Sequence, residues 1–210
     1  MRKLVIFTIP LSEYDDNRIK ARKRGEIGMK KCLERDETPA TAKVGQLVMT
    51  GLFMAMTCVA TMVLVVPSPS GGYMNLGDAI VLLGAFLLGP VYGGLAGGIG
   101  AAIADLLAGY AVYAPATLGI KLLMGLVAGI LYRCVGNRWK TAGLVVCCIA
   151  AESIMVIGYW LYDGFLMGSL AGSAVGIPAN LMQAAFGIVA ATLFTVALKK
   201  TPGFRNFFES

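Results

Sequence analysis

Residues 77–109 form an almost uninterrupted apolar stretch that is rich in Gly and Ala and is broken once, at Gly89-Pro90. In water this stretch would form a poor helix, because glycine loses much backbone entropy when it is held in a helix. In lipid the same composition is favourable, since small side chains let neighbouring helices pack closely. Asp78 and Asp105 lie near its two ends. An ionisable group close to hydrocarbon must be paired, hydrated or functional, so these two acids need an explanation.

The composition of the whole chain indicates a polytopic helical membrane protein, because 57% of its 210 residues are hydrophobic and only 14% are charged. We predict an all-α fold, a compact bundle of six transmembrane helices in residues 43–200, with polar tails at 1–42 and 201–210. The predicted spans are Val44–Val66, Ala79–Leu88, Val91–Gly109, Ala116–Val135, Thr141–Tyr162 and Ala171–Leu198. The second span is short, so it is marginal for crossing a bilayer on its own.

The basic residues predict the orientation. Eleven of the 18 Lys and Arg lie in residues 1–43, and six spans place 17 of the 18 on one side of the membrane. The positive-inside rule then puts both termini in the cytoplasm of a multi-pass protein, which we expect in a bacterial plasma membrane. Within the tail, Ile19–Arg35 is either a basic helix on the lipid surface or disordered, and a further alternative is that Met29 is the true start.

Polar side chains converge on the predicted outer half of the membrane. With a rise of about 1.5 Å per residue, Asp105 lies about 6 Å and Lys121 about 8 Å from the outer ends of their helices. These matching depths predict an ion pair between Asp105 and Lys121. Asp78 is predicted to lie in the outer loop and to act from there as a cap or a gate. Glu152 lies deeper, and Tyr159 lies on the same helix face one heptad further out.

This convergence favours an outward-facing pocket for a small polar heterocycle. The predicted substrate-binding residues are Asn75, Asp78, Asp105, Tyr113, Lys121, Glu152, Tyr159, Asn180 and Gln183. Structural alternatives remain open for several of them. Asp105 and Lys121 are also consistent with a pair that locks helices together, Tyr113 with an interfacial anchor, and Asn180 and Gln183 with interhelical hydrogen bonds.

Small residues four apart predict close helix packing at Gly93/Gly97, Gly94/Gly98, Gly98/Ala102 and Gly125/Gly129. The pair Gly51/Ala55 in the first span has the same spacing. It predicts either packing within the fold or a smooth face offered to a partner protein.

The sequence also argues against several classes of function. It contains no GxxxxGK[ST] phosphate-binding loop, so the chain is not expected to hydrolyse ATP. It contains no histidine, the commonest general base and metal ligand, and we predict neither a metal site nor a cofactor. A self-sufficient small-solute carrier or channel is one alternative to a transporter subunit. An integral-membrane enzyme that uses Asp78, Asp105 and Glu152 is another, but these acids lack DxxD or ExxE spacing, so an enzyme is not the favoured interpretation.

Several segments resemble a known family of membrane proteins. Tyr73-Met-Asn-Leu-Gly-Asp78, Leu88-Gly-Pro-Val-Tyr-Gly-Gly94, Ala101-Ala-Ile-Ala-Asp105-Leu-Leu-Ala-Gly-Tyr110 and Tyr113-Ala-Pro-Ala-Thr117 through Lys121-Leu-Leu-Met-Gly125 are similar to the substrate-binding S component of energy-coupling factor (ECF) vitamin transporters. The resemblance covers roughly residues 44–198 and is specific over 73–130. It is strongest to the riboflavin, hydroxymethylpyrimidine or pyridoxine group.

The resemblance implies a six-helix bundle that binds a vitamin on its outer side. It also implies two kinds of partner, a transmembrane coupling subunit and two ATPase subunits. The S component is then expected to topple in the membrane and release the vitamin inside when the ATPases act. The AxxxA contact motif of the family corresponds here to Gly51xxxAla55, which implies a partner-coupling role for these two residues.

Overall fold

The computed structural model describes residues 40–136 and 140–201 of the chain. The predicted features of the tail, including Ile19–Arg35 and Met29, lie outside the described residues, as do residues 202–210. The prediction that both termini are cytoplasmic stays a prediction, since no membrane fixes the orientation of the bundle.

The described residues form six helices of twelve or more residues, together with a two-stranded hairpin. In chain order the elements are α1 (Ala40–Val63), β1 (Val66–Pro67), β2 (Tyr73–Met74), α2 (Gly77–Leu88), α3 (Pro90–Leu107), α4 (Ala114–Leu131), a π-helical turn (Tyr132–Gly136), α5 (Lys140–Met167), a short α6 (Leu170–Ser173), a 3₁₀ turn (Ala174–Gly176) and α7 (Ile177–Lys200). Strands β1 and β2 are antiparallel, with Val66 opposite Met74. The predicted fold class, an all-α bundle of six membrane helices, is confirmed.

Helix α2 lies at the centre of the bundle, where it packs against α1, α3, α4 and α7. Every one of its residues except Ile80 is buried. Twelve residues extend only about 18 Å, less than the roughly 30 Å of hydrocarbon in a bilayer. Because the other helices cover it, α2 does not need to match the thickness of the membrane. This position explains why so short a segment is stable here.

The predicted small-residue seams are confirmed for three of the four pairs. Gly94 and Gly98 face α4 so closely that an added Cβ at either position would lie within 3.0 Å of a backbone carbonyl oxygen in that helix. Gly93 and Gly97 face α2, where Ala85 and Val81 occupy the space of a side chain. The pair Gly125/Gly129 faces α3 from the other side. Because these positions carry no side chain, α3 packs closely against α2 on one face and against α4 on the other.

Gly89 joins α2 to α3 in a single residue. Its φ of 84° lies in the left-handed region, which glycine adopts without a Cβ clash. Pro90 then begins α3, a position at which its missing N–H is not needed. The predicted helical hairpin with a turn at Gly89-Pro90 is thus confirmed.

The predicted boundaries were wrong near the end of the chain. Residues 163–170 were expected to form a loop, but α5 continues to Met167 and places Asp163 in its last part. The sixth predicted span, Ala171–Leu198, is divided by the 3₁₀ turn, and α7 begins at Ile177 with Pro178 in its first turn. Pro178 is compatible with this helix start, because the first turn needs no N–H from it.

Five regions of the described chain are long and apolar enough to cross a membrane, and α2 is a shorter apolar helix. Gly51 and Ala55 are exposed on α1, and an added Cβ on Gly51 would meet nothing within 4 Å. The expectation that this pair packs within the fold is therefore wrong. The alternative, a face that contacts a partner, stays a prediction.

Candidate ligand-binding site

A cavity opens at the end of the bundle that carries the β1–β2 hairpin. Its walls come from the hairpin region, α4, α5, α7 and the end of α3. The lining residues are Ser68, Ser70, Gly72, Tyr73, Asn75, Asp105, Tyr113, Thr117, Tyr159, Asp163 and Asn180. The empty volume is about 350 Å³ when the open mouth is included. The enclosed part has room for roughly one or two waters, so a heterocycle requires the walls to move apart.

The Tyr73 hydroxyl on β2 donates a 2.5 Å hydrogen bond to Oδ1 of Asp105, near the end of α3. Burial, followed by the adjacent Asp105 carboxylate, raises the pKa of Tyr73 far above its ordinary value. The phenol therefore keeps its proton and acts as a donor at neutral pH. Oδ2 of Asp105 is also buried, and it accepts no hydrogen bond from the described residues.

A second tyrosine–carboxylate pair lies in the same wall. The Tyr113 hydroxyl donates to Oδ1 of Asp163 at 2.9 Å and so joins the start of α4 to α5. Burial, followed by the Asp163 carboxylate, raises the pKa of Tyr113 well above its ordinary value. The hydroxyls of Thr117 and Tyr159 complete this wall and lie 3.0 Å apart. With the hydroxyls of Ser68 and Ser70, six hydroxyl groups and two acids therefore line a small volume.

Beneath the cavity lies a second polar group, which we call the buried cluster: Asp78, Lys121, Glu152 and Gln183. Lys121 forms a salt bridge with Asp78, and each of the two side chains is only 1% exposed. Gln183 donates to Oδ2 of Asp78 at 2.6 Å and accepts from the backbone N–H of Asn75 at 2.8 Å. Gln183 thereby connects the buried cluster to the segment that follows the hairpin.

Glu152 occupies an unusual position in the buried cluster. It is 1% exposed, and neither of its carboxylate oxygens has a hydrogen-bond partner among the described residues. Its Oε1 lies near the backbone of Gly187, where an added Cβ would also contact Asp78. Tyr159 is two turns along the same helix face, about 10 Å closer to the cavity. The predicted relation between Glu152 and Tyr159 is therefore consistent with the structure, but only Tyr159 lines the cavity.

The predicted ion pair between Asp105 and Lys121 was wrong, because the depth of Asp78 was misjudged. Asp78 precedes the Gly89 turn by eleven residues and Asp105 follows Pro90 by fifteen, so they lie about 16 Å and 22 Å from that turn. Gly129 of α4 packs against Pro90, and Lys121 lies about 12 Å beyond it. The lysine side chain therefore reaches Asp78 first. Asp78 neither caps nor gates from a loop, since α2 begins inside the bundle.

The nine predicted substrate-binding residues divide into two groups. Those that line the cavity are Asn75, Asp105, Tyr113, Tyr159 and Asn180, whereas Asp78, Lys121, Glu152 and Gln183 form the buried cluster. Sequence reasoning missed five polar side chains of the lining: Ser68, Ser70, Tyr73, Thr117 and Asp163. The hairpin residues among them follow Pro67 in a Ser- and Gly-rich segment that resembled an ordinary turn. A tyrosine directly after such a turn was the one signal that could have identified them.

The tyrosine hydroxyls and carboxylates form a site for hydrogen bonding and stacking. Tyr73 and Tyr110 lie with their ring centroids 4.5 Å apart, and Tyr113 contacts Tyr162 edge to face at 5.5 Å. The Lys121 ammonium lies 5.6 Å from the centroid of the Tyr159 ring, so this ring contacts both the cavity and the buried cluster. Within the described ranges, no group of three or more His, Cys, Asp or Glu residues could hold a metal ion.

The sequence of this chain is similar to those of known proteins. The family model "ECF-type riboflavin transporter, S component" matches residues 41–200. An uncharacterized protein of Pyrococcus woesei is 34% identical over 146 residues, which cover 69% of this chain and 95% of that protein. The thiamine precursor transporter HmpT of Lactococcus lactis subsp. cremoris (strain MG1363) is 27% identical over 169 residues, which cover 79% of this chain and 94% of HmpT.

A solved structure supports the fold independently. The S component of a bacterial ECF transporter superposes with a TM-score of 0.55 over 77% of this chain and 98% of that chain, at 20% sequence identity. At that identity the likeness shows the fold alone. Together with the apolar helices, the family match establishes a multi-pass protein of the plasma membrane. The chain belongs to the S-component family of ECF-type riboflavin transporters, whose members are vitamin-binding membrane subunits of importers.

Proposed function

We propose that this S component captures a small water-soluble vitamin or vitamin precursor in the cavity under the hairpin. Pyridoxine and hydroxymethylpyrimidine are the favoured ligands, and riboflavin is a further candidate. The observation that carries this proposal is the cavity itself, in which tyrosines, two carboxylates and two asparagines surround one small space. Aromatic walls with a few fixed polar groups are typical of sites for small heterocycles.

The small enclosed space favours a ligand with one ring, because such a ligand requires a smaller displacement of the cavity walls than a larger one does. A three-ring flavin requires a larger displacement of the hairpin than a pyridine or pyrimidine does. The relative that transports a thiamine precursor is consistent with a one-ring ligand.

The side of capture follows from the charge distribution. Residues 1–43 and the chain after Leu198 are rich in Lys and Arg, and the hairpin region has none. The positive-inside rule therefore favours a cytoplasmic location for both termini and an outward-facing hairpin. In this orientation the ligand enters from outside and leaves on the cytoplasmic side after the bundle has reoriented.

Energy for release requires other subunits, because this sequence has no phosphate-binding loop. ECF S components work with a membrane coupling subunit and ATPases, and we propose the same partners here: one coupling subunit and two ATPase subunits. The exposed Gly51/Ala55 face of α1 is the proposed contact with the coupling subunit. Small residues there allow a partner helix to approach closely.

Uptake by reconstituted vesicles tests the proposal. Vesicles that contain this chain, the coupling subunit and both ATPases are expected to accumulate radiolabelled hydroxymethylpyrimidine or pyridoxine when ATP is inside. Vesicles with this chain alone should bind the vitamin without accumulating it. Accumulation by the chain alone would indicate a self-sufficient carrier, and chemical conversion of the vitamin would indicate an enzyme.

A pair of glycine variants tests the coupling face. Gly51→Leu should fold and bind vitamin normally, because nothing lies within 4 Å of its added Cβ, but uptake should fall at least tenfold. Gly119→Leu is the matched control, since Gly119 is equally open on α4, and it should leave uptake unchanged. Equal uptake by both variants would show that α1 does not couple through Gly51.

A further inference from the structure

Among the described residues, the lining of the cavity contains two acids and no base. Asp105 and Asp163 are 3% and 2% exposed, and neither Lys nor Arg belongs to the lining. Lys121, whose ammonium lies 5.6 Å from the centroid of the Tyr159 ring, forms a salt bridge with Asp78. The charges of that pair cancel locally, so the excess of acid in the cavity remains.

The two acids differ in what they offer a ligand. Asp163 is held by the Tyr113 hydroxyl and lies close to Ser70 and Gly176. Asp105 is held through Oδ1 by Tyr73 and also interacts with the Thr117 hydroxyl, while Oδ2 is buried and has no hydrogen-bond partner of good geometry among the described residues. A buried carboxylate oxygen without a donor is unfavourable, so this atom is positioned to accept a hydrogen bond from something that enters the cavity.

The surroundings limit what that donor can be. Oδ1 and Oδ2 of one carboxylate together match two parallel N–H groups, such as those of an amino group beside a protonated ring nitrogen. Such an edge also brings positive charge, which the acidic lining stabilises. A phosphate monoester brings negative charge close to two buried carboxylates, where repulsion is strong because solvent screening is weak.

We propose that the cavity selects an amino-substituted nitrogen heterocycle, bound through an N–C–N edge to Asp105, and rejects phosphorylated or otherwise anionic forms of the same ring. This selection rests on the proposed function and makes it more specific. Among the candidate vitamins it favours an aminopyrimidine over pyridoxine and over riboflavin. The stacking surface for the ring comes from the tyrosines of the lining.

Isothermal titration calorimetry on the full chain in detergent tests this with four probes. They are 4-amino-5-hydroxymethyl-2-methylpyrimidine, the 4-oxo compound of the same size, the phosphate monoester of the amino compound, and riboflavin. The amino compound is expected to bind at least tenfold more tightly than the 4-oxo compound, as a hydrogen bond to a charged group predicts. It should bind at least a hundredfold more tightly than its phosphate ester.

Two variants assign the preference to one residue. Asp105→Asn should reduce the preference for the amino compound over the 4-oxo compound to within threefold, because the amide is neutral and itself donates. Glu152→Gln removes a buried acid outside the cavity and should retain a preference of at least tenfold. If Asp105→Asn does not fold, the wild-type comparison of the four probes still decides the proposal.

The results separate two kinds of failure. Equal affinity for the amino and 4-oxo compounds, tightest binding of riboflavin, or tight binding of the phosphate ester would overturn the selection while vitamin capture stands. Failure of the monodisperse protein to bind any of the probes or pyridoxine would overturn the selection and the proposed vitamin capture together.

Discussion

The cavity and the buried cluster are both polar and lie next to each other, yet they differ in how their groups are satisfied. In the buried cluster, Lys121, Asp78 and Gln183 bind one another, and only the Glu152 carboxyl oxygens have no hydrogen-bond partner among the described residues. In the cavity, the hydroxyls of Tyr73 and Tyr113 each occupy one carboxylate oxygen, and Oδ2 of Asp105 stays open. Depth in the membrane therefore does not distinguish a ligand site from a structural site. The distinguishing feature is a polar group that lacks a hydrogen-bond partner and lies beside an open space.

Gln183 shows that the two regions are not independent. Its amide binds Asp78 on one side and the backbone of Asn75 on the other. The position of the hairpin, which covers the cavity, is thus fixed partly by a residue that does not line it. Substitutions in the two regions should accordingly differ in size and kind: loss of stability for the cluster, and loss of affinity for the cavity.

The largest expected effect is that of Lys121→Met. It leaves Asp78 buried without its cation, and breaking a buried pair by removing one partner lowers the free energy of unfolding by about 3–5 kcal/mol. Thermal unfolding in detergent and the monodisperse fraction would measure this. The double variant Asp78→Asn/Lys121→Met removes both charges and should recover most of the loss. A single variant as stable as the wild type would show that the pair is not structural.

Gln183→Leu should have an intermediate effect that reaches both regions. It leaves the Asn75 N–H and an Asp78 oxygen unsatisfied, which lowers the free energy of unfolding by about 2–3 kcal/mol in total. Hydrogen exchange at Asn75 should accelerate, and vitamin affinity should fall. Met182→Leu, at the exposed neighbouring position, is the matched control and should change neither property. Unchanged exchange at Asn75 would mean that the hairpin is held by other contacts.

The smallest effect is expected for Glu152→Gln. The carboxylate is buried without a hydrogen-bond partner in the described part of the chain, so its neutral isostere removes an unfavourable group. The free energy of unfolding should stay within about 1 kcal/mol of the wild type or rise. A loss of stability as large as that of Lys121→Met would show that Glu152 is a full partner in the cluster, and it would sharpen the contrast with the cavity.

Much of the candidate site followed from residue type and helix position. Asn75, Asp105, Tyr113, Tyr159 and Asn180 were predicted and do line the cavity, because each is polar and lies near the same end of the bundle. Tyr73 and the hairpin serines were missed, since a short antiparallel pairing has no periodic signal over two residues. Asp163 was placed in a loop because α5 continues past the expected end of its span.

By itself the sequence determined the class of the protein: apolar segments require lipid, the glycine pairs require close helices, and Gly89-Pro90 requires a turn. It also determined that several ionisable groups lie at depth. Only the tertiary structure decided which of them meet. The central helix α2 is short and buried, so Asp78 lies about 6 Å deeper than Asp105 and takes Lys121 away from it. The distance of eleven residues from Asp78 to the Gly89 turn sets that depth, and α2 can begin so far inside the bundle only because the other helices surround it.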